Sequence, residues 1–123
     1  MFRRLTAVAL LAAIALVAAA LASASPEAVP TLKATVGPGF TISLKQKNGT
    51  KVKSLKAGKY LFVVAEKASI HNFSLQKGSG GAKQLTTVPF MGTKKVTVNL
   101  TKGKWKYYCT PHESIMFGFF SVK

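Results

Sequence analysis

Beyond residue 30, several stretches place apolar side chains at every second position, often with Lys, Ser, Thr or Asn between them. The runs are Phe40, Ile42, Leu44; Tyr60, Phe62, Val64; His71, Phe73, Leu75; Val96, Val98, Leu100; and Trp105, Tyr107, Cys109. A period of two puts successive side chains on opposite faces of an extended chain, so each run predicts a strand with one buried and one solvated face. Helical periodicity is absent from this region. Asn48-Gly49, Ala57-Gly58 and Thr101-Lys102-Gly103 separate runs with turn-forming residues, Gly37-Pro38-Gly39 marks a sharp bend, and Gly78 to Gly81 marks a loop. Seven or eight short strands in about 99 residues predict an all-β fold, an antiparallel β-sandwich with Greek-key connections.

The first two dozen residues break this pattern. Arg3 and Arg4 precede an unbroken Ala/Leu/Val-rich run from Leu5 to Ala22, and Ala22-Ser23-Ala24 supplies a small-residue cleavage site before Ser25. That order of charge, apolar run and small residues predicts a signal peptide over residues 1–24 and an exported mature chain, periplasmic, secreted or attached to the cell envelope. The competing reading is a retained N-terminal anchor, which the alanine-rich run and the following Pro26 disfavour. Residues 25–31, with Pro26 and Pro30, read as a linker, and 32–123 as one domain.

Composition narrows the chemistry. The chain holds 18 Lys and Arg against 3 Asp and Glu, for a formal charge of +15. Glu27, Glu66 and Glu113 are its only carboxylate side chains, too few and too scattered for paired-carboxylate catalysis. One cysteine permits no internal disulfide and no CxxC motif. A lone thiol in an oxidising compartment is open to oxidation unless something occupies it, so Cys109 requires an explanation.

The chemistry concentrates in Cys109-Thr110-Pro111-His112-Glu113-Ser114-Ile115-Met116, with the other histidine at His71. A thiolate, two imidazoles and a thioether form the donor set of a type 1 copper site, in which soft sulfur suits Cu(I), imidazole suits both oxidation states and a long axial Met tunes the potential. Each residue alone has a plainer reading: His71, Cys109 and Met116 fit core positions. Their combination in an exported β-domain favours one copper ion per chain. Pro111 stiffens the loop between two of the donors. A cysteine hydrolase with Cys109 as nucleophile lacks the helix N-terminus that activates such thiols, so no enzymatic activity is expected.

Cys109-Thr110-Pro111-His112, the following Met116-Phe117-Gly118, the final Ser121-Val122-Lys123 and the upstream His71-Asn72-Phe73 together resemble the small cupredoxins, such as plastocyanin, amicyanin and pseudoazurin. The resemblance covers residues 31 to 123. It implies His71, Cys109 and His112 as equatorial ligands, Met116 as axial ligand, and Asn72 as a hydrogen-bonding brace of the ligand loop. Three residues stand between His112 and Met116, against four in plastocyanin and pseudoazurin and two in amicyanin, and a backbone carbonyl near Ile70 is the alternative axial contact. The implied function is single-electron transport between redox partners by Cu(II)/Cu(I) cycling, with a copper-binding or storage module as the alternative.

Sixteen lysines, spread over nearly every turn, leave the chain after residue 24 at +13. They keep strand edges apart, and they equally suit an acidic redox donor or acceptor, or an anionic envelope surface. Nucleic acid is not expected as a partner, because the export signal and the lack of an aromatic-basic binding motif argue against it. A monomer is expected.

Overall fold

The alternating runs become strands that close around the side chains they turn inward. The computed structural model describes residues 28–123, so the signal reading of 1–24 and the first residues of the linker lie outside the described residues. Nine strands follow one another: β1 (Thr31–Val36), β2 (Ile42–Gln46), β3 (Ser54–Leu55), β4 (Gly58–Glu66), β5 (Ser74–Lys77), β6 (Ala82–Gln84), β7 (Gly92–Leu100), β8 (Gly103–Tyr108) and β9 (Phe117–Val122). They form a four-stranded sheet in the order β2-β1-β4-β7 and a five-stranded sheet in the order β3-β9-β8-β5-β6. Among the described residues the only helical element is one 3-10 turn, Thr110–His112. No helix of the described residues is long and apolar enough to cross a membrane.

The result is the expected sandwich, cupredoxin-like in architecture, with two differences in pairing. β1 lies parallel to β4 and β3 parallel to β9, so both sheets are mixed rather than wholly antiparallel. The cause is topological. After the β1–β2 hairpin the chain crosses to the other sheet at β3 and returns beside β1 as β4, and strands joined by such a crossover run the same way. Two of the nine strands, β3 and β6, are only two and three residues long, which is why local alternation shows fewer. Thr31, read with the linker, is the first residue of β1.

Inward positions of β4 alternate strictly: Tyr60, Phe62 and Val64 are buried, while Lys59, Leu61 and Val63 are not. From the facing sheet come Leu75, Tyr107, Phe120 and Val122. An aromatic ladder crosses the core. Phe62 meets Phe73 at 6.3 Å between centroids, Phe73 stacks on Tyr107 at 6.0 Å, and Tyr107 meets Phe120 at 6.3 Å. Such pairs add ~0.5–1.5 kcal/mol each beyond area burial. Opposite Tyr107 in the register stands Gly118, where an added Cβ would lie 2.2 Å from the tyrosine ring. A glycine is required there so that the ring can lie across the neighbouring strand.

Two expected strand members sit elsewhere. Phe40 precedes β2 and is 56% exposed, because the Gly37–Thr41 turn, closed by Gly37 N–H donating to Thr41 O, rotates it out of the run. His71 and Phe73 lie just before β5, in a segment where every residue from 71 to 75 is buried instead of alternating. That buried, non-strand segment carries the first candidate ligand.

Candidate metal centre

Two pieces of chain meet at one end of the sandwich. β8 delivers Cys109 in extended conformation immediately beyond its last residue, and Pro111 then helps set the 3-10 turn that swings His112 back. His112 N–H donates to Cys109 O at 3.1 Å, Met116 N–H to His112 O at 2.8 Å, and Cys109 N–H to Met116 O at 3.0 Å. The eight-residue loop is thus bonded to itself, with its two ends side by side where β8 and β9 begin to pair. His71 comes from the segment before β5.

The ring nitrogens and the sulfur converge. His71 Nδ1 lies 3.2 Å from His112 Nδ1, Cys109 Sγ lies 3.8 Å from His71 Nδ1 and 3.6 Å from His112 Nδ1. A point equidistant from three atoms at these separations is about 2.1 Å from each, close to the bonds that imidazole nitrogen (~2.0–2.1 Å) and thiolate sulfur (~2.3 Å) make to a divalent first-row ion. The three residues are the described residues' candidate metal cluster. Its donors are one thiolate and two imidazoles without a carboxylate, a soft and intermediate set that fits copper, which binds N and S donors more tightly than zinc does. Met116, fully buried, is the last residue of the same loop.

The surroundings fix how each donor is presented. His71 Nε2 lies 2.9 Å from Gly39 O; a carbonyl only accepts, so the proton is on Nε2 and the Nδ1 lone pair points at the site. Gly37, at φ +79°, lets the backbone pass so close that a Cβ would stand 3.1 Å from the His71 ring. Phe40 sets its ring edge-on to both imidazoles, at 5.7 Å from His71 and 4.9 Å from His112. His71 and Cys109 are wholly buried, whereas His112 is partly open to solvent.

Asn72 bonds its own segment to the ligand loop. Its backbone N–H donates to Cys109 Sγ at 3.5 Å, its Oδ1 accepts from Thr110 N–H at 2.7 Å, and its Nδ2 donates to Thr110 Oγ1 at 3.1 Å.

A second brace was not visible in the sequence. Thr86 Oγ1 donates to Glu66 Oε1 at 2.5 Å and accepts from Phe73 N–H at 2.8 Å, tying the His71 segment to the end of β4. Glu66 is buried, and its Oε2 has no hydrogen-bond partner. Desolvation by burial raises its pKa above the ordinary glutamate range, against the opposing pull of the Thr86 bond and of His71. Gly39 O, Phe40, Glu66 and Thr86 carry no local motif; chain topology alone gathers them.

Comparison with known proteins gives a consistent picture. The family described as copper binding proteins, plastocyanin/azurin family, matches residues 31–123. No curated protein matches the chain significantly. Among solved structures, reduced rusticyanin is 22% identical with a TM-score of 0.50, covering 76% of each chain. A mutant of amicyanin in its Cu(I) state is 16% identical with a TM-score of 0.50, over 76% of this chain and 83% of the other. Both share the fold.

Proposed function

Because the chain belongs to the plastocyanin/azurin family of copper-binding proteins, we propose that it is an exported single-electron carrier whose type 1 copper is held by His71, Cys109 and His112, with Met116 as axial donor. Copper bound there supplies one-electron exchange between Cu(II) and Cu(I). The convergence of His71 Nδ1, His112 Nδ1 and Cys109 Sγ within a triangle of 3.2–3.8 Å sides carries this reading.

The chain's own groups divide the remaining work. Cys109 supplies the sulfur donor, and the Asn72 N–H bonds to that sulfur without adding a competing ligand. Gly39 O holds the His71 ring in the tautomer that exposes Nδ1, and Phe40 covers the gap between the two imidazoles and excludes water. A self-bonded ligand loop changes little when charge changes, which keeps the rearrangement accompanying electron transfer small. His112, the partly open imidazole, lies toward the surface where a partner approaches.

Residues 1–24 act as the export signal and 25–30 as a tether in this reading, and the partner is an acidic redox protein steered by the lysines. Titration of the purified apo-protein with Cu(II) tests the core of it. One equivalent develops an intense visible thiolate-to-copper band, which Cys109→Ser abolishes, and cyclic voltammetry shows a reversible couple. A pale tetragonal complex with the wild-type chain refutes the type 1 assignment. A blue protein that traps Cu(I) irreversibly supports the storage alternative.

A further inference from the structure

The outer face of the five-stranded sheet bears aromatic rings where water should favour polar ones. β9 turns Phe120 and Val122 into the core, and the same alternation turns Phe117 and Phe119 outward, 44% and 48% exposed. Across the register Phe117 faces Tyr108 and Phe119 faces Lys106, so the rings and lysines share one patch. Lys106 Nζ sits 5.2 Å from the ring centres of Tyr108 and Phe117 and 6.0 Å from Phe119, and Lys104 Nζ sits 4.9 Å from Phe119. Sheet pairing thus gathers the outward residues of β8 and β9 into one aromatic-basic cluster.

The patch already holds one carboxylate of its own chain. Lys106 Nζ holds the Glu113 carboxylate at 2.9 Å, and the pair is open to water, with Glu113 half exposed. Pairs of this kind contribute little to stability, so an incoming carboxylate can replace Glu113 at small cost. The patch also adjoins the copper loop: Tyr108 precedes Cys109, Phe117 follows Met116, and Glu113 lies next to His112.

Resting on the electron-carrier reading, we infer that Phe117, Phe119, Lys104 and Lys106 form the docking surface for the acidic redox partner, whose carboxylate exchanges with Glu113 on Lys106 while its apolar surface covers the two phenylalanines. Charge complementarity selects the partner: the chain is strongly basic, and two lysines ring an apolar centre, the pattern of a small transient interface with a polar rim. The opposite sheet provides the contrast. There Lys45, Lys33 and Lys95 lie along one row with Val63 and no aromatic ring, so that face attracts anions without offering an apolar anchor.

The test compares equal charge changes on the two faces, using an acidic c-type cytochrome as probe. Lys106→Gln and Phe119→Ser should each slow reduction of the cytochrome roughly five- to tenfold, and Lys33→Gln less than about twofold, with the copper band unchanged in all three. Glu113→Gln should accelerate it. NMR shift mapping with the same cytochrome should perturb Lys104, Lys106, Phe117 and Phe119. Equal effects of Lys106→Gln and Lys33→Gln, or shifts confined to Phe40, Ile70 and Ile115, overturn the docking surface while leaving the carrier function intact. Docking on the patch without electron transfer sinks the carrier function and leaves the surface standing. Phe119-dependent binding to phosphatidylglycerol vesicles, or self-association through this face, with no cytochrome docking, overturns the inference in favour of lipid or a second copy.

Discussion

Truncating Asn72 to alanine isolates the brace between the two halves of the site. Its side chain is 2% exposed and makes two bonds, both to Thr110. Without Oδ1, the part-buried Thr110 N–H loses its acceptor, a deficit of ~1–3 kcal/mol, while the lost Nδ2–Thr110 Oγ1 bond contributes ~1 kcal/mol and the exposed hydroxyl turns to water. The net destabilisation is about 2–4 kcal/mol, or a fall in Tm of roughly 10–30 °C for a domain of this size. Thr110→Val removes the hydroxyl that meets Asn72 Nδ2 and, at 3.4 Å, Ser74 Oγ, but leaves the N–H bond to Asn72 Oδ1, and should cost ~1 kcal/mol. Guanidinium denaturation of the apo-protein gives both values, and the copper band of the holo-protein supplies an independent reading. The bond to Cys109 Sγ comes from the Asn72 backbone, so the band should hold its position while the midpoint drops. An Asn72→Ala protein within ~0.5 kcal/mol of wild type would refute the brace, since it would mean that the part-buried Thr110 N–H finds water at no cost.

Other expectations concern single sites. Gly118→Ala should destabilise the fold by about 3 kcal/mol or more, measured by thermal melting, because its Cβ would meet the Tyr107 ring at 2.2 Å; a neutral result would show that the ring moves freely. Glu66 binds its proton more tightly folded than unfolded, so stability should fall as pH rises from the ordinary glutamate range through the raised folded value. Glu66→Gln should remove that part of the slope, and parallel curves for the two proteins would refute the shift. Met116→Leu keeps an apolar side chain at a fully buried position, so the apo-protein should melt within about 1 kcal/mol of wild type. The copper potential should rise, because Cu(II) loses more than Cu(I) when the thioether goes; an unchanged potential would make Met116 a core residue only.

The strands were legible where one face is buried and the other wet. Tyr60, Phe62 and Val64 face the core as their alternation requires, and so do Val98 and Leu100. Phe40 shared the period of Ile42 and Leu44 but belongs to a turn, since three residues of alternation carry no information about the backbone that precedes them. Sheet mixing was not legible either, because strand neighbours are chosen by crossovers that leave no local trace. At the site, the loop from Cys109 to Met116 announced itself by composition. Its support did not: a glycine carbonyl, a threonine and a buried glutamate look ordinary until the fold brings them to His71.

The donors also differ in how far apart they lie along the chain. His112 stands three residues from Cys109, whereas His71 stands 38 residues away. Closing the first separation is a matter of one turn, reached in well under a microsecond; closing the second waits for β5 to find β8 and for the two sheets to meet. The blue band is therefore a clock for tertiary assembly. In refolding with copper present, colour should arrive with the slow, long-range step and not with the formation of the ligand loop, so the metal reports when the sandwich shuts.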